Sequence, residues 1–210
     1  IAQVEGSQLS AMVKADLLLS LRAKQQQFEQ AANEALGIYF EVTADPPGPP
    51  PAPSYFPRME QTLSLAAPGQ TFTLTARLYN RGRLPITPSA VRLALPEGWA
   101  GSVVKEEKPE LKTGESAYVR FQVHVPDDAK LTKPYFTRRD PQAETVYTLS
   151  DPRLATLPFP PYPIHATASF SAPGGTSAAQ AVARVKFVDP VAGQSERPLA
   201  VGPPVSVLLE

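Results

Sequence analysis

The two histidines are the first residues to test for catalysis or metal binding. His124 and His165 stand far apart, and no Cys or second His accompanies either at the spacing of a zinc site. The run HVPDDA, residues 124–129, places two aspartates just after a histidine, which holds zinc in some hydrolases. Here it ends an alternating strand, so we interpret it as a strand exit and turn. We therefore predict surface histidines, no metal and no cofactor.

Covalent or phosphate chemistry has no motif in this chain either. There is no Cys nucleophile, no G-x-S-x-G elbow, no phosphate loop and no dinucleotide fingerprint. Ser, His and Asp are present, but their spacing singles out no triad. We predict no catalytic residue and expect the isolated chain not to be an enzyme.

Aromatic side chains are the remaining candidates for a binding role. Trp99 is the only tryptophan and follows a glycine turn in the run LALPEGW. We predict that it is mostly buried as a plug at one end of a β core; the alternative is an exposed platform on which a sugar ring stacks. An irregular stretch further on carries aromatic rings and adjacent arginines that either pack into a joint between β units or line a sugar-binding face: Tyr135, Phe136, Arg138, Arg139, Tyr147, Phe159 and Tyr162.

Composition narrows the class of protein that must position these residues. The 210 residues carry 20 basic and 20 acidic side chains, so the formal net charge is zero. A phosphate-binding surface needs a cationic excess, so we predict no nucleic-acid partner, and we predict no membrane insertion because no long apolar run is present. The 25 prolines disfavour helices and favour strand edges and loops. The chain lacks a signal peptide and begins at Ile, which suggests a processed chain or a fragment.

The periodicity of apolar residues predicts the elements. Apolar residues at helical spacing predict one amphipathic helix over 8–36, packed on a core, with a free partner-binding helix as the alternative. From residue 62 the period changes to two, which predicts an antiparallel β-sandwich of immunoglobulin type. The predicted fold is mainly β, and five segments follow from these boundaries: a helix and short strand (1–44), a proline-rich linker (45–61), the immunoglobulin-like sandwich (62–129), a Pro/aromatic connector (130–163), and a second, smaller β unit (164–210), either complete or truncated at its last strand.

Two runs carry a family resemblance. RLYNRGRLPITPSAVRLALPEGW and LKTGESAYVRFQVHVPDDA resemble the sandwich module associated with carbohydrate-binding (NPCBM) and alpha-galactosidase proteins, through an N-R-G turn, an L-P-E-G-W strand exit and a G-E-S strand entry. The wider pattern, with ALGIYFEV, KPYF-T-R, Y-T-L-S-D-P and RPLAVGPPVSV, resembles the region that follows the catalytic domain in bacterial LmbE/PIG-L-like deacetylases.

The resemblance implies a non-catalytic accessory region of a zinc-dependent amino-sugar deacetylase. That family uses a contiguous His-Pro-Asp-Asp and a later His-x-x-His, whereas this chain has His124-Val-Pro-Asp-Asp and no His-x-x-His, so no catalytic residue carries over. The implied partner is the catalytic domain of the parent chain, and the implied location is exported, periplasmic or extracellular. The alternative function is a carbohydrate-binding module for a cell-surface or extracellular glycan.

Overall fold

The computed structural model describes residues 1–48, 61–140, 142–154, 161–189 and 191–205. Its helices are α1 (Ala2–Glu5), α2 (Ala11–Leu36) and a 3-10 turn at Pro152–Leu154. Its strands are β1 (Ile38–Ala44), β2 (Thr71–Asn80), β3 (Thr87–Ala94), β4 (Ala100–Glu107), β5 (Ser116–His124), β6 (Phe136–Thr137), β7 (Thr148–Leu149), β8 (His165–Ala172), β9 (Gly175–Asp189) and β10 (Gly193–Pro198). The predicted mainly β, sandwich-like fold with an N-terminal helix is confirmed. Most of the predicted linker, and Phe159 of the connector, lie outside the described residues.

Eight strands form one hydrogen-bonded path in the order β3-β8-β9-β1-β2-β5-β4, with β10 paired to β9. The 15-residue strand β9 has three partner strands. Its first part pairs with β8, and its last part pairs with β10 and β1. All of these pairings are antiparallel except β1 with β9. The short β6–β7 pair stands apart as a two-stranded ladder in the connector.

Hydrogen bonding therefore does not stop at the boundaries predicted between the two β units. Strand β1, assigned from the sequence to an N-terminal segment, lies between β2 and β9, and β3 of the first unit pairs with β8 of the second. The buried side chains of both units make one hydrophobic core. The physical reason is that each unit alone leaves strand edges unpaired, and joining β1 to β9 and β3 to β8 satisfies them.

Alternation explains which strand face is buried. In β5 the side chains of Ala117, Val119, Phe121 and Val123 are buried, while the intervening residues point outward. The same period-two pattern runs through β1 and β8. The outward positions of β1, β2 and β5 consequently form a polar surface, the outer face, on the side of these strands opposite the core.

Helix α2 does not pack on the core as predicted. None of its 26 residues is buried, and only its C-terminal end touches the sheet. Asn33 makes that contact, since its side chain donates to the Ala178 carbonyl at 2.8 Å and accepts from the Ser177 hydroxyl at 3.1 Å. The helical spacing correctly predicted a helix. The hydrophobic core is built mainly by strand residues, and α2 does not cover it.

A glycine pair fixes the junction between helix and sheet. Gly37 ends α2 in the left-handed conformation, with φ 69°, and its carbonyl accepts a hydrogen bond from the Arg81 amide at 2.8 Å. Gly82, in the N-R-G turn after β2, approaches so closely that a Cβ there would collide with the Leu36 carbonyl oxygen. The turn needs glycine because the helix backbone occupies the space of a side chain.

Candidate functional site

The outer face holds a cleft with a volume of about 570 Å³. Strands β1, β2 and β5 position its walls through direct pairing, which sets Glu41 opposite Arg77 and Thr75 opposite Arg120. We call it the outer-face cleft. Its lining is mainly hydroxyl-bearing and charged: Glu41, Thr43, Ala44, Asp45, Pro46, Gly48, Thr62, Thr73, Thr75, Arg77, Tyr79, Arg120 and Lys186.

Hydrogen bonds and an ion pair already occupy Asp45, one of the two carboxylates in this cleft. One of its oxygens accepts from the Thr75 hydroxyl at 2.7 Å, and the other accepts from Thr73 at 2.7 Å and lies 3.1 Å from Nε of Arg120. Only 18% of the Asp45 side chain is exposed. Asp45 is thus a structural carboxylate that holds β1, β2 and β5 in register, and its negative charge is offset locally.

Glu41 is the second carboxylate, and it is bound to Tyr79. The Tyr79 hydroxyl donates to Glu41 at 2.8 Å. Burial and this hydrogen bond to a carboxylate raise the pKa of Tyr79 to about 12. Burial, and then Glu41, also raise the pKa of Tyr39 beside it. Both phenols therefore stay neutral donors at physiological pH.

Three cations face the cleft, and their engagement differs. Arg120 pairs with Asp45, and the Lys186 ammonium lies 3.9 Å from Glu196. Arg77 rests over the Tyr118 ring at 5.4 Å and, within the part of the chain that the structure describes, forms no ion pair within 4.0 Å. Two of the three cations are thus already paired with a carboxylate, and the Arg77 guanidinium keeps donors available.

An aromatic cluster continues the outer face toward the α2 junction. Tyr39 and Tyr79 lie 5.7 Å apart, and the Arg81 guanidinium stands over Tyr39 at 4.2 Å. Tyr39 is 40% exposed. Such a ring can contact the apolar face of a sugar or a cation, although the guanidinium already covers part of it.

Trp99 lies at a second depression, which we call the Trp99 groove. Its ring is half-buried and packs against the core, and the Trp99 amide closes a turn onto the Pro96 carbonyl at 3.2 Å. The groove has a volume of about 530 Å³ and is also lined by Glu97, Asp128 and Lys130. Trp99 is thus neither fully buried nor fully exposed, and it lines a groove that also carries charged side chains.

Three of the aromatic residues predicted in the connector, Tyr135, Phe136 and Tyr147, pack on one another. Phe136 packs edge-on against Tyr135 at 5.4 Å and against Tyr147 at 5.0 Å, and Arg138 stands over Tyr147 at 4.8 Å. Phe136, Tyr147 and Tyr162 remain 38%, 51% and 45% exposed. They do not fill a joint between two β units, because no separate units exist to be joined.

A third surface is the α2 stripe, formed by Val13, Leu17, Leu21 and Phe28. These residues follow one another at spacings of four or seven, so they share one helix face. Their exposed fractions are 44%, 41%, 38% and 75%. The partly buried positions of the helix, such as Leu18 and Asn33, lie on a different face. Helix α1 contacts α2, but no residue of the α2 stripe is buried.

Neither histidine takes part in any of these surfaces. His124 and His165 are both exposed, and His124 shares a hydrogen bond with the Thr71 hydroxyl at 3.1 Å. Asp127 and Asp128 follow β5 in a turn. Over the described ranges, no three His, Asp or Glu side chains come together as a metal site. None of the helices in those ranges has the length and apolar character to cross a bilayer.

Comparison with known proteins gives one family match. Residues 66–135 match the family described as the NPCBM-associated NEW3 domain of alpha-galactosidase, and this segment contains β2 to β5. The chain therefore contains a NEW3 domain there, which confirms that part of the resemblance. No curated protein matches the chain.

Two solved structures are weakly similar in fold. The secreted serine protease VesC from Vibrio cholerae is 12% identical with a TM-score of 0.36, over 77% of this chain and 26% of VesC. The chain thus spans about a quarter of the length of VesC. The yeast GGA1 GAE domain is 15% identical with a TM-score of 0.36, over 66% of this chain and 86% of that one. The family match covers residues 66–135, about a third of the chain.

Proposed function

We propose that this chain is a non-catalytic accessory β-sandwich region of a larger carbohydrate-active enzyme, and that it docks on the catalytic domain and positions it. The observation that carries the proposal is the α2 stripe. A NEW3 domain, which its family description assigns to alpha-galactosidase, supports the carbohydrate setting.

The energetics of α2 favour a docking role. A helix in water gains most of its stability from burying an apolar face, and α2 buries none of its 26 residues. Phe28 alone leaves 75% of its surface in water. Covering a large apolar side chain contributes about 1.5–3 kcal/mol, so a partner that seats the α2 stripe stabilises both the helix and the complex.

The parent enzyme belongs, in this proposal, to the LmbE/PIG-L-like deacetylases. The resemblance in KPYF-T-R, Y-T-L-S-D-P and RPLAVGPPVSV supports this assignment. The zinc ligands and all catalytic groups would then reside in the other domain, and the whole protein would be exported to act on an amino-sugar polymer. The junction at Gly37 and Gly82 gives α2 a defined angle to the sheet, as a positioning element requires.

Hydrogen exchange tests the docking directly. We compare the 210-residue chain with the full polypeptide encoded by the same reading frame. Amides of residues 13–28 should exchange fast in the chain alone and at least about tenfold more slowly in the full polypeptide, because docking adds free energy to helix opening. Leu21→Gln with Phe28→Gln should abolish that protection, whereas the matched polar-face pair Lys24→Gln with Glu29→Gln should preserve it. Equal exchange in both proteins, or a reading frame without a catalytic domain, would refute the proposal.

The Trp99 groove favours a second candidate function, a carbohydrate-binding module. A half-exposed indole beside Glu97, Asp128 and Lys130 offers a stacking face and hydrogen-bonding groups to a sugar. Tryptophan fluorescence should then change on adding soluble chitosan, cellulose or xylan oligosaccharides, and Trp99 is the only reporter. Glu97→Gln should weaken binding, and Glu110→Gln, outside the groove, should not. An unchanged spectrum with all three sugars would exclude this candidate.

A further inference from the structure

We infer that the outer-face cleft is a binding site for an acidic glycan, in which Arg77 holds the carboxylate of a uronic acid residue. This site is independent of the docking surface on α2, because β1, β2 and β5 build it and α2 contributes none of its lining. It is also distinct from the Trp99 groove, since the two depressions share no lining residue.

Arg77 is the group in the cleft that can hold an anion. Asp45 already accepts bonds from Thr73 and Thr75 and pairs with Arg120, so it does not repel a further carboxylate strongly. The Arg77 guanidinium stands over the Tyr118 ring and interacts electrostatically with Glu107 and Tyr79, but over the described ranges it forms no ion pair within 4.0 Å. A planar fork of this kind binds a carboxylate through two parallel N–H···O bonds.

Arg120 provides a second donor at a suitable distance. Thr75 pairs with Arg120 across β2 and β5, and Arg77 lies two residues along β2 on the same face. Such diagonal neighbours stand about 7–8 Å apart, close to the span of one sugar ring. A uronic acid residue can thus place its carboxylate on Arg77 while a ring hydroxyl reaches the edge of the Arg120–Asp45 pair.

The lining suits a polyhydroxylated ligand better than a peptide. Extended peptides bind mainly by adding a strand to an open sheet edge, and β1 and β2 have both of their edges paired at the cleft. Helical peptides need an apolar groove, whereas this cleft presents the hydroxyls of Thr43, Thr73 and Tyr79. Hydroxyl groups and charged heads are the partners that a sugar acid can satisfy.

Calorimetric titration of the whole chain tests the site. The probes are oligomers of galacturonate, mannuronate and hyaluronan, with methyl-esterified galacturonate and poly-glutamate as comparison ligands. At least one uronate should bind, more weakly as salt rises, and the methyl ester should bind at least about tenfold more weakly because the ionic hydrogen bonds are lost. Arg77→Gln should reduce affinity about tenfold or more, Arg77→Lys less, and Arg92→Gln on β3 should leave it unchanged.

Each contrary outcome overturns the inference in a different way. If none of the uronates binds, the cleft is not this site. If the methyl ester binds as tightly as the acid, the carboxylate is not recognised. If poly-glutamate binds as tightly as the uronate, the sugar is not recognised. If the uronate binds but Arg77→Gln binds as well as the wild type does, the site lies elsewhere. Loss of hydrogen-exchange protection on α2 would bear only on the docking proposal, so the two can fail separately.

Discussion

Asn80 is the buried polar residue on which the turn between β2 and β3 depends, and its removal should be costly. Its side chain is fully buried. The amide nitrogen donates to the carbonyls of Leu84 and Leu111 at 2.8 and 2.9 Å, and the amide oxygen accepts from the Gly82 amide at 3.0 Å. Asn80→Ala removes all three hydrogen bonds and leaves a small cavity.

The magnitude follows from these contacts. Each lost hydrogen bond costs about 1 kcal/mol net, and the cavity adds about 1 kcal/mol. The Leu84 carbonyl can turn to water because Leu84 is 45% exposed, and the Leu111 carbonyl keeps its bond from the Ile86 amide. We therefore expect a loss of about 3–4 kcal/mol in the free energy of unfolding, or about 10 °C in Tm for a chain of this size.

Urea denaturation and calorimetry measure this loss, with Gln122→Ala on the exposed outer face as the control, expected to change stability by less than about 0.5 kcal/mol. Asn80→Asp sharpens the test. A carboxylate there keeps the bond from Gly82 but faces two carbonyl oxygens, so its pKa should be raised and the variant should regain stability as pH falls and the carboxyl is protonated. A loss below about 1 kcal/mol for Asn80→Ala, or no recovery of Asn80→Asp in acid, would refute the reasoning.

Three further predictions concern other contacts. Gly82→Ala should cost about 1–3 kcal/mol and change the protease sensitivity of α2, because the new Cβ meets the Leu36 carbonyl; unchanged stability and digestion would contradict the close approach. The ultraviolet titration of Tyr79, isolated by comparison with Tyr79→Phe, should have its midpoint near 12, and Glu41→Gln should lower it. Since the folded pKa of Tyr79 exceeds the ordinary value of 10.0, its contribution to stability is complete below about pH 10 and falls as pH rises toward about 12. A titration midpoint near 10 would show that the hydrogen bond from Tyr79 to Glu41 does not form. Phe136→Ala should speed tryptic cleavage in the connector while leaving one unfolding transition within about 2 °C of the wild type, and a split transition would show that the rings join separate units after all.

The sequence predicts strands wherever one face is buried and the other is not. Alternation located β5 and β8, because their buried residues recur at every second position, and it also located β2 and most of β9, where the burial pattern is less regular. It missed β4, since every residue of that edge strand is exposed and no alternation can arise. Strand β10 was also missed, because its run GQSERP is polar and resembles a turn.

Pairing across the chain is harder to predict than the elements. Nothing local in IYFEV shows that it lies between β2 and β9, because β9 is far away from it in the sequence. The same limit applies to α2, whose spacing predicts a helix face but not whether anything covers that face.

The candidate sites differ for the same reason. Trp99 could be singled out because it is a lone tryptophan after a glycine turn, and the structure places it half-buried at the edge of the core. The outer-face cleft could not, since Arg77, Asp45 and Arg120 come from three strands and each alternates with a core residue. A recognisable signal existed only in the outward positions of β2, where Thr73, Thr75, Arg77 and Tyr79 alternate with the core.

The pairing of β9 with both β8 and β1 has a consequence for the order of folding. Strand β1 needs residues 183 and 184 of β9 to complete its second edge, so the centre of the sheet cannot close until residue 184 has left the ribosome. Pairings of such high sequence separation slow folding because a long loop must be closed first. Until then β1, β2, β5 and β4 can pair in that order, and the second edge of β1 stays open, which exposes the nascent chain to aggregation. The segment 66–135 alone lacks β1, β8 and β9 and should therefore not fold independently.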